Sequence, residues 1–177
     1  MTDASLAERV REAAYLEGDF VLRSGRRSRF YLDKYRFATR PDLLRDIGAA
    51  LAARIAEVDP AAVRIAAPEV GAIALAAAAS LASGLPFVIV RKAAKEYGTA
   101  KRLEGVYAAG ERVCVVEDVV TSGGAALDSV HALRESGMTC DTVICVVDRG
   151  EGGAEAMAEA GVRMFSLLDR TILRLGA

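Results

Sequence analysis

The chain predicts an α/β fold: a mainly parallel five-stranded sheet flanked by helices, with a small cap formed by the amino-terminal residues. Two observations carry this. Short β-branched runs alternate with helical periods along most of the chain, the pattern of parallel strands joined by right-handed crossovers. The best of these runs, Val113 to Val116, is continuously apolar and not alternating, as for a strand covered on both faces. Taken in order, a helical period spans Leu6 to Tyr15, and the residues up to 40 form the cap, with Arg26, Arg27 and Phe30 in a turn-like setting. Thr39 or Arg40 then precedes Pro41, which suits the first turn of a helix running to Glu57. Strands follow at Val63 to Ala66, Phe87 to Val90, Val113 to Val116, Thr142 to Val147 and Arg163 to Ser166. Helices at Ala72 to Ala82, Ala125 to Ser136 and Gly153 to Ala160 separate them. The uncharged stretch from Val70 to Val90 is long enough on paper to cross a bilayer, which takes about 20 apolar residues. Alanine dominates it, and Ser83-Gly84-Leu85-Pro86 divides it into two buried soluble elements.

Composition fits one domain over residues 1–177, with 1–40 as the cap and 41–177 as the core; 53% hydrophobic residues supply one sizeable interior. A net charge of -1 gives no basic field for nucleic acid. Cys114, Cys140 and Cys145 lack metal-ligand spacing and read as buried reduced thiols. The first residues lack the basic-then-apolar order of a secretory signal, so a cytoplasmic protein is expected, with no membrane partner.

The chemistry is concentrated between Val113 and Ala125. A buried strand leads into Glu117 and Asp118, then Val119, Val120, Thr121, Ser122, Gly123, Gly124 and a helix beginning near Ala125. Open α/β sheets bind ligands in the crevice beyond their carboxyl ends. Thr121 and Ser122 offer hydroxyl donors, while Gly123 and Gly124 let backbone N–H groups approach an anion at the positive end of a helix. Carboxylates would repel a phosphate but accept hydrogen bonds from sugar hydroxyls. The combination suits a pentose carrying a 5-phosphate. No Walker loop or dinucleotide turn is present. A second candidate is the stretch from Arg91 to Gly105, long for a strand-to-helix connection, with Arg91, Lys92, Lys95, Lys101 and Arg102 as cations and Gly98 and Gly105 as hinges; long ordered loops often act as lids.

The thirteen residues Val113 to Ala125 resemble the signature of the type I phosphoribosyltransferases, which bind phosphoribosyl pyrophosphate. Arg91-Lys92-Ala93-Ala94-Lys95-Glu96-Tyr97-Gly98-Thr99, continuing to Leu103-Glu104-Gly105, is similar to the catalytic loop of the orotate phosphoribosyltransferases, as is Leu22 to Tyr31 to that family's amino-terminal block. Asp148-Arg149-Gly150 lies where the family places an arginine for the pyrimidine. The resemblance implies the type I phosphoribosyltransferase fold, with the cap as a hood, and transfer of phosphoribosyl from its pyrophosphate donor to orotate. Lys95, Arg91, Lys92 and Asp118 are then catalytic. Donor contacts come from Arg91, Lys92, Lys95, Tyr97 and residues 117–125, and orotate contacts from Thr121, Arg149 and Arg27. Mg²⁺ is implied as cofactor, held mainly through substrate without direct protein ligands. A homodimer with shared active sites is also implied.

Three departures from the family stand out. Ala66-Ala67-Pro68-Glu69-Val70-Gly71 lacks the lysine that many relatives present to pyrophosphate, Tyr97 stands where histidine is frequent, and Arg27 replaces a frequent lysine. Two alternatives stay open: a phosphoribosyltransferase for a purine or uracil, and a non-catalytic sensor of the same donor, which would have no need of Lys95.

Overall fold

Helix α1 (Leu6–Ala14) begins where Ser5 and Glu8 close a capping box, each side chain accepting the other's backbone N–H. The computed structural model describes residues 5–21, 25, 27–93 and 102–176. Beyond α1, β1 (Tyr15–Val21) pairs antiparallel with β2 (Arg27–Leu32), and the Tyr15 and Phe30 rings stack at 5.6 Å. This hairpin corrects the turn-like setting expected for Arg27 and Phe30, which both lie in β2. Arginine and serine dominate β2, so only the cross-strand partner reveals it. A five-residue helix, α2 (Lys34–Ala38), follows; Asp33 Oδ1 caps it by accepting from Tyr35 N at 3.1 Å. It is too short to leave a periodic signal.

The core comprises α3 (Pro41–Val58), β3 (Arg64–Pro68), α4 (Ile73–Ser83), β4 (Phe87–Val90), β5 (Leu103–Glu104), β6 (Arg112–Val120), α5 (Gly124–Glu135), β7 (Thr139–Asp148), α6 (Gly153–Glu159) and β8 (Arg163–Asp169). Strand order is β5-β4-β3-β6-β7-β8, parallel except where β5 runs antiparallel to β4. The sheet therefore has six strands and not the expected five. Two residues cannot display a period; β5 exists because the chain returns to β4, with Arg91 N donating to Arg102 O at 2.8 Å.

Alternate residues of β6 feed opposite faces, which explains its unbroken apolar run. Cys114 and Val116 join Leu43, Ile47, Leu51 and Leu75 of α3 and α4, whereas Val113 and Val115 join Val130 and Leu133 of α5 and Met157 of α6. Val10, Leu32 and Phe37 of the amino-terminal elements belong to the first of these clusters, so hood and sheet share an interior. All three cysteines are free and buried. Burial pushes the Cys140 thiol up to about 12. Among the described residues no helix is long and apolar enough to cross a membrane.

At the end of the sheet away from its carboxyl edge, Arg112 bridges Asp59 and Asp141, each at 2.5 Å. Asp59 is 2% exposed. Arg112→Ala is expected to lower stability by about 2–3 kcal/mol, since it strands a buried carboxylate, and urea unfolding measures this.

Candidate functional site

Strand β6 continues through Val120, so Glu117 and Asp118 lie inside the ladder and not just beyond it. Glu117 is opposite Cys145 of β7, and Val120 is opposite Asp148. Extended pairing forces both carboxylates into the interior, where they are 7% and 2% exposed. Local amides compensate in part: Asp118 N donates to Glu117 Oε1 at 3.0 Å and Val119 N to Asp118 Oδ1 at 2.6 Å. Two adjacent buried anions cannot both stay charged cheaply. Burial first, and the Asp118 charge second, push the Glu117 carboxyl up to about 8.

Asp118 has a cationic partner from an unexpected place. Lys34 Nζ, from the first residue of α2, lies 2.6 Å from Asp118 Oδ2. This is a charge contact and not an aligned hydrogen bond, as Oδ2 otherwise lacks a partner. Burial opposes the charge on Lys34, but the Asp118 contact outweighs it and raises the lysine pKa. Both groups press on the loop after β3: a methyl at Gly71 would overlap Asp118 Oδ2 and come within 3.0 Å of Lys34 Nζ. Only glycine leaves room for that carboxylate.

Thr121 and Ser122 follow the doublet as exposed residues at the carboxyl edge. Gly123 caps α5 with φ +81°, a left-handed conformation that favours glycine, and any Cβ there would press on Gly153. The first helical bond is Leu127 N to Gly123 O at 2.9 Å, which leaves the amides of Gly124, Ala125 and Ala126 without helical acceptors. With the helix dipole they form an anion-binding nest beside the acidic pair. Arg149 N donates to Val120 O at 3.0 Å, tying the β7 loop to this one.

The Arg149 guanidinium is largely buried, pairs with Glu151 Oε1 at 2.9 Å and sits 5.8 Å from the Phe30 ring of the hood. Asp148 accepts from Gly150 N and turns the loop. Arg27 is exposed on the hairpin, 3.3 Å from Asp19, three residues along β2 from Phe30. At the base of the basic loop, Arg91 faces Glu69 at 3.7 Å and Glu104 at 3.8 Å, and Lys92 N donates to Glu69 Oε1 at 2.8 Å. Arg102 does not project as a free cation: it binds Asp128 of α5 at 2.5 Å and the Arg91 carbonyl. Lys95, Tyr97 and Lys101 lie outside the described residues. Fold and local geometry thus bring Glu117, Asp118, Thr121 to Ala125, Arg91, Lys92 and Arg149 to one edge. Sequence reasoning missed Lys34, Gly71 and the Arg102 clasp, because each is defined by a distant partner; only the glycine could have been suspected from its loop.

Comparison with known proteins agrees with this geometry. Residues 36–166 match the family model of the phosphoribosyl transferase domain. The orotate phosphoribosyltransferase of Methanocella arvoryzae is 50% identical over 94% of this chain and 94% of its own. That of Natronomonas pharaonis is 44% identical over 95% of each. Among solved structures, the Mycobacterium tuberculosis orotate phosphoribosyltransferase in complex with 5-phospho-alpha-D-ribosyl 1-diphosphate superposes with a TM-score of 0.82 at 34% identity, covering 96% of this chain and 97% of that one. The Aeropyrum pernix orotate phosphoribosyltransferase gives 0.84 at 36% identity over 96% and 97%.

The raised Glu117 pKa has a thermodynamic signature. Folding favours the protonated form, so this group's contribution is complete below its ordinary 4.5 and is lost as pH rises through about 8. Relative to Glu117→Gln, the unmodified protein should lose stability across that window, on the order of 1 kcal/mol per pH unit, as read from urea midpoints.

Proposed function

The chain belongs to the phosphoribosyltransferase family, in its orotate phosphoribosyltransferase group, and from that premise we propose that it transfers phosphoribosyl from phosphoribosyl pyrophosphate to orotate. The products are orotidine 5'-monophosphate and pyrophosphate, a step of pyrimidine nucleotide synthesis. One observation carries the reading: the Glu117–Asp118 doublet and the amide nest at the start of α5 share one sheet edge, suiting the hydroxyls and the 5-phosphate of a single pentose. The Glu117 and Asp118 carboxyl groups, side by side in one strand, suit the two neighbouring hydroxyls of a ribose.

In the reaction, the pyrimidine nitrogen of orotate, its acidic ring proton given up to solvent, forms a bond to the anomeric carbon as the bond from that carbon to pyrophosphate breaks, and the bonding pair leaves with pyrophosphate. Positive charge develops on the ribose, as in other oxocarbenium-like displacements. In this reading Lys95, Arg91, Lys92 and Tyr97 stabilise the leaving pyrophosphate in a site from which water is excluded. Arg91 would exchange Glu69 and Glu104 for the ligand, a small cost because those pairs are long and partly solvated. Thr121, Arg149 and Arg27 serve orotate. The buried, flat guanidinium of Arg149 above Phe30 supports the carboxylate role most strongly.

The acidic doublet also fits Mg²⁺ held through the substrate. No group of three or more His, Cys, Asp or Glu side chains could hold a metal ion among the described residues, and Lys34 already covers Asp118. Mg²⁺ retains several waters and prefers phosphate oxygens, so it would neutralise the pyrophosphate and reach the carboxylates by way of ribose hydroxyls. We further read residues 1–177 as one catalytic unit that works in the cytoplasm, in keeping with its three free thiols, and forms a homodimer with shared sites.

Incubation with phosphoribosyl pyrophosphate, Mg²⁺ and each free base tests the activity. Orotate should be consumed, and Lys95→Ala should reduce kcat about 100-fold or more. Turnover with a purine alone overturns the choice of base, and donor binding without turnover of any base overturns the enzyme. Shared sites are tested by mixing Lys95→Ala and Asp118→Asn subunits: recovered activity supports them, and its absence rejects them.

A further inference from the structure

The loop from Pro68 to Gly71 contributes a carboxylate, Glu69, to the carboxyl edge and no cation. Its Glu69 side chain is engaged by Lys92 N and faces Arg91, so the loop itself offers nothing positive toward the doublet. That position is filled from the hood. Lys34 Nζ stands 2.6 Å from Asp118 Oδ2 and close to Gly71, where α2, β6 and the β3 loop meet. The stem is held firmly, since Phe37 and Ala38 in the same short helix are 0% and 3% exposed. The head is not sealed: the Lys34 side chain is 36% exposed, against 3% for Asp118. The ammonium therefore touches the carboxylate on one side and still meets solvent on the other.

We propose that Lys34 is a positioning residue for the phosphoribosyl donor, holding Asp118 in place from the hood and cancelling its charge before the polyanion arrives. Without it, the doublet would present an uncompensated anion at the mouth of a site for a highly charged ligand, and Asp118 would be held only through Oδ1, by Val119 N, with no cation beside the Oδ2 that faces Gly71. The proposal rests on the donor reading above, but not on the identity of the base. It also ties the hood to the core through the ligand site, so that α2 takes part in binding although it carries no reacting group. Because Lys34 acts through Asp118, its removal should weaken the donor and spare the chemical step.

The test uses the full chain and phosphoribosyl pyrophosphate with Mg²⁺. By calorimetry, Lys34→Met should bind the donor about tenfold more weakly, a scale between that of an exposed and that of a buried ion pair. In turnover its donor KM should rise by a similar factor, with kcat within about threefold and orotate KM unchanged. Lys34→Arg should recover most of the loss. In an Asp118→Asn background the same change should have little further effect, since its target is gone. Unchanged donor affinity in Lys34→Met, or equal loss in Lys34→Met and Lys34→Arg, overturns the proposal; so does a drop in kcat alone with donor KM intact. Should Lys34→Met fail to fold, Lys34→Gln and Lys34→Arg decide the same comparison. Absence of orotate turnover by the unmodified protein would reject the base assignment, while calorimetry would still judge Lys34.

Discussion

Placing two neighbouring carboxylates in the interior of a parallel sheet is the constraint around which the rest of the site is arranged. A buried anion costs several kcal/mol unless it is paired or protonated, and two in succession repel as well. Each available remedy is present. Glu117 has its pKa raised toward the neutral form, Asp118 is met by Lys34, and each carboxylate accepts an amide from the next residue of its own strand. The arrangement also dictates what its neighbours can be. The loop after β3 must pass Asp118 with no side chain at Gly71, and the hood must lie close enough to deliver an ammonium.

Next to it, the anion end of the site relies on backbone and not on side-chain charge. Gly123 turns the chain so that the opening amides of α5 face outward, and the start of α6 packs so tightly beneath that neither Gly123 nor Gly153 has room for a Cβ without displacing its neighbours. Phosphate binding by amides adds no mobile charge, which matters where an acidic pair sits in the preceding strand. In the proposed reading, fixed dipoles serve the ester and carboxyl groups serve the hydroxyls. The two functions occupy successive residues without conflict because β6 ends between them, after Val120.

The basic loop leaves the sheet through a stem that is already charge-balanced. Arg91 and Arg102 are engaged by Glu69, Glu104, Asp128 and each other's backbone, which fixes the direction of the stem. Arg102 links that stem to α5, one turn past the nest. The base of the basic loop and the start of α5 are thus mechanically joined.

Much of this was legible from residue order alone. The doubly covered strands, the helices between them, the acidic pair and the hydroxyl-glycine turn are encoded locally: apolar period, strand propensity and turn chemistry act over a few residues. So the sheet, its carboxyl edge and the Val113–Ala125 segment were determined by the sequence by itself. The sixth strand, the hairpin in the hood, the depth to which β6 carries Glu117 and Asp118, the Arg102 clasp and the Lys34 contact were decided only by tertiary structure. In each case the deciding interaction joins residues distant in the chain: Lys34 with Asp118, Arg102 with Asp128, and Tyr15 with Phe30. A lysine beside a tyrosine in a polar stretch has no local mark that distinguishes a solvated charge from a counter-ion. Its role arises only when folding brings a buried carboxylate to 2.6 Å and shields the Asp118 side of the pair from water.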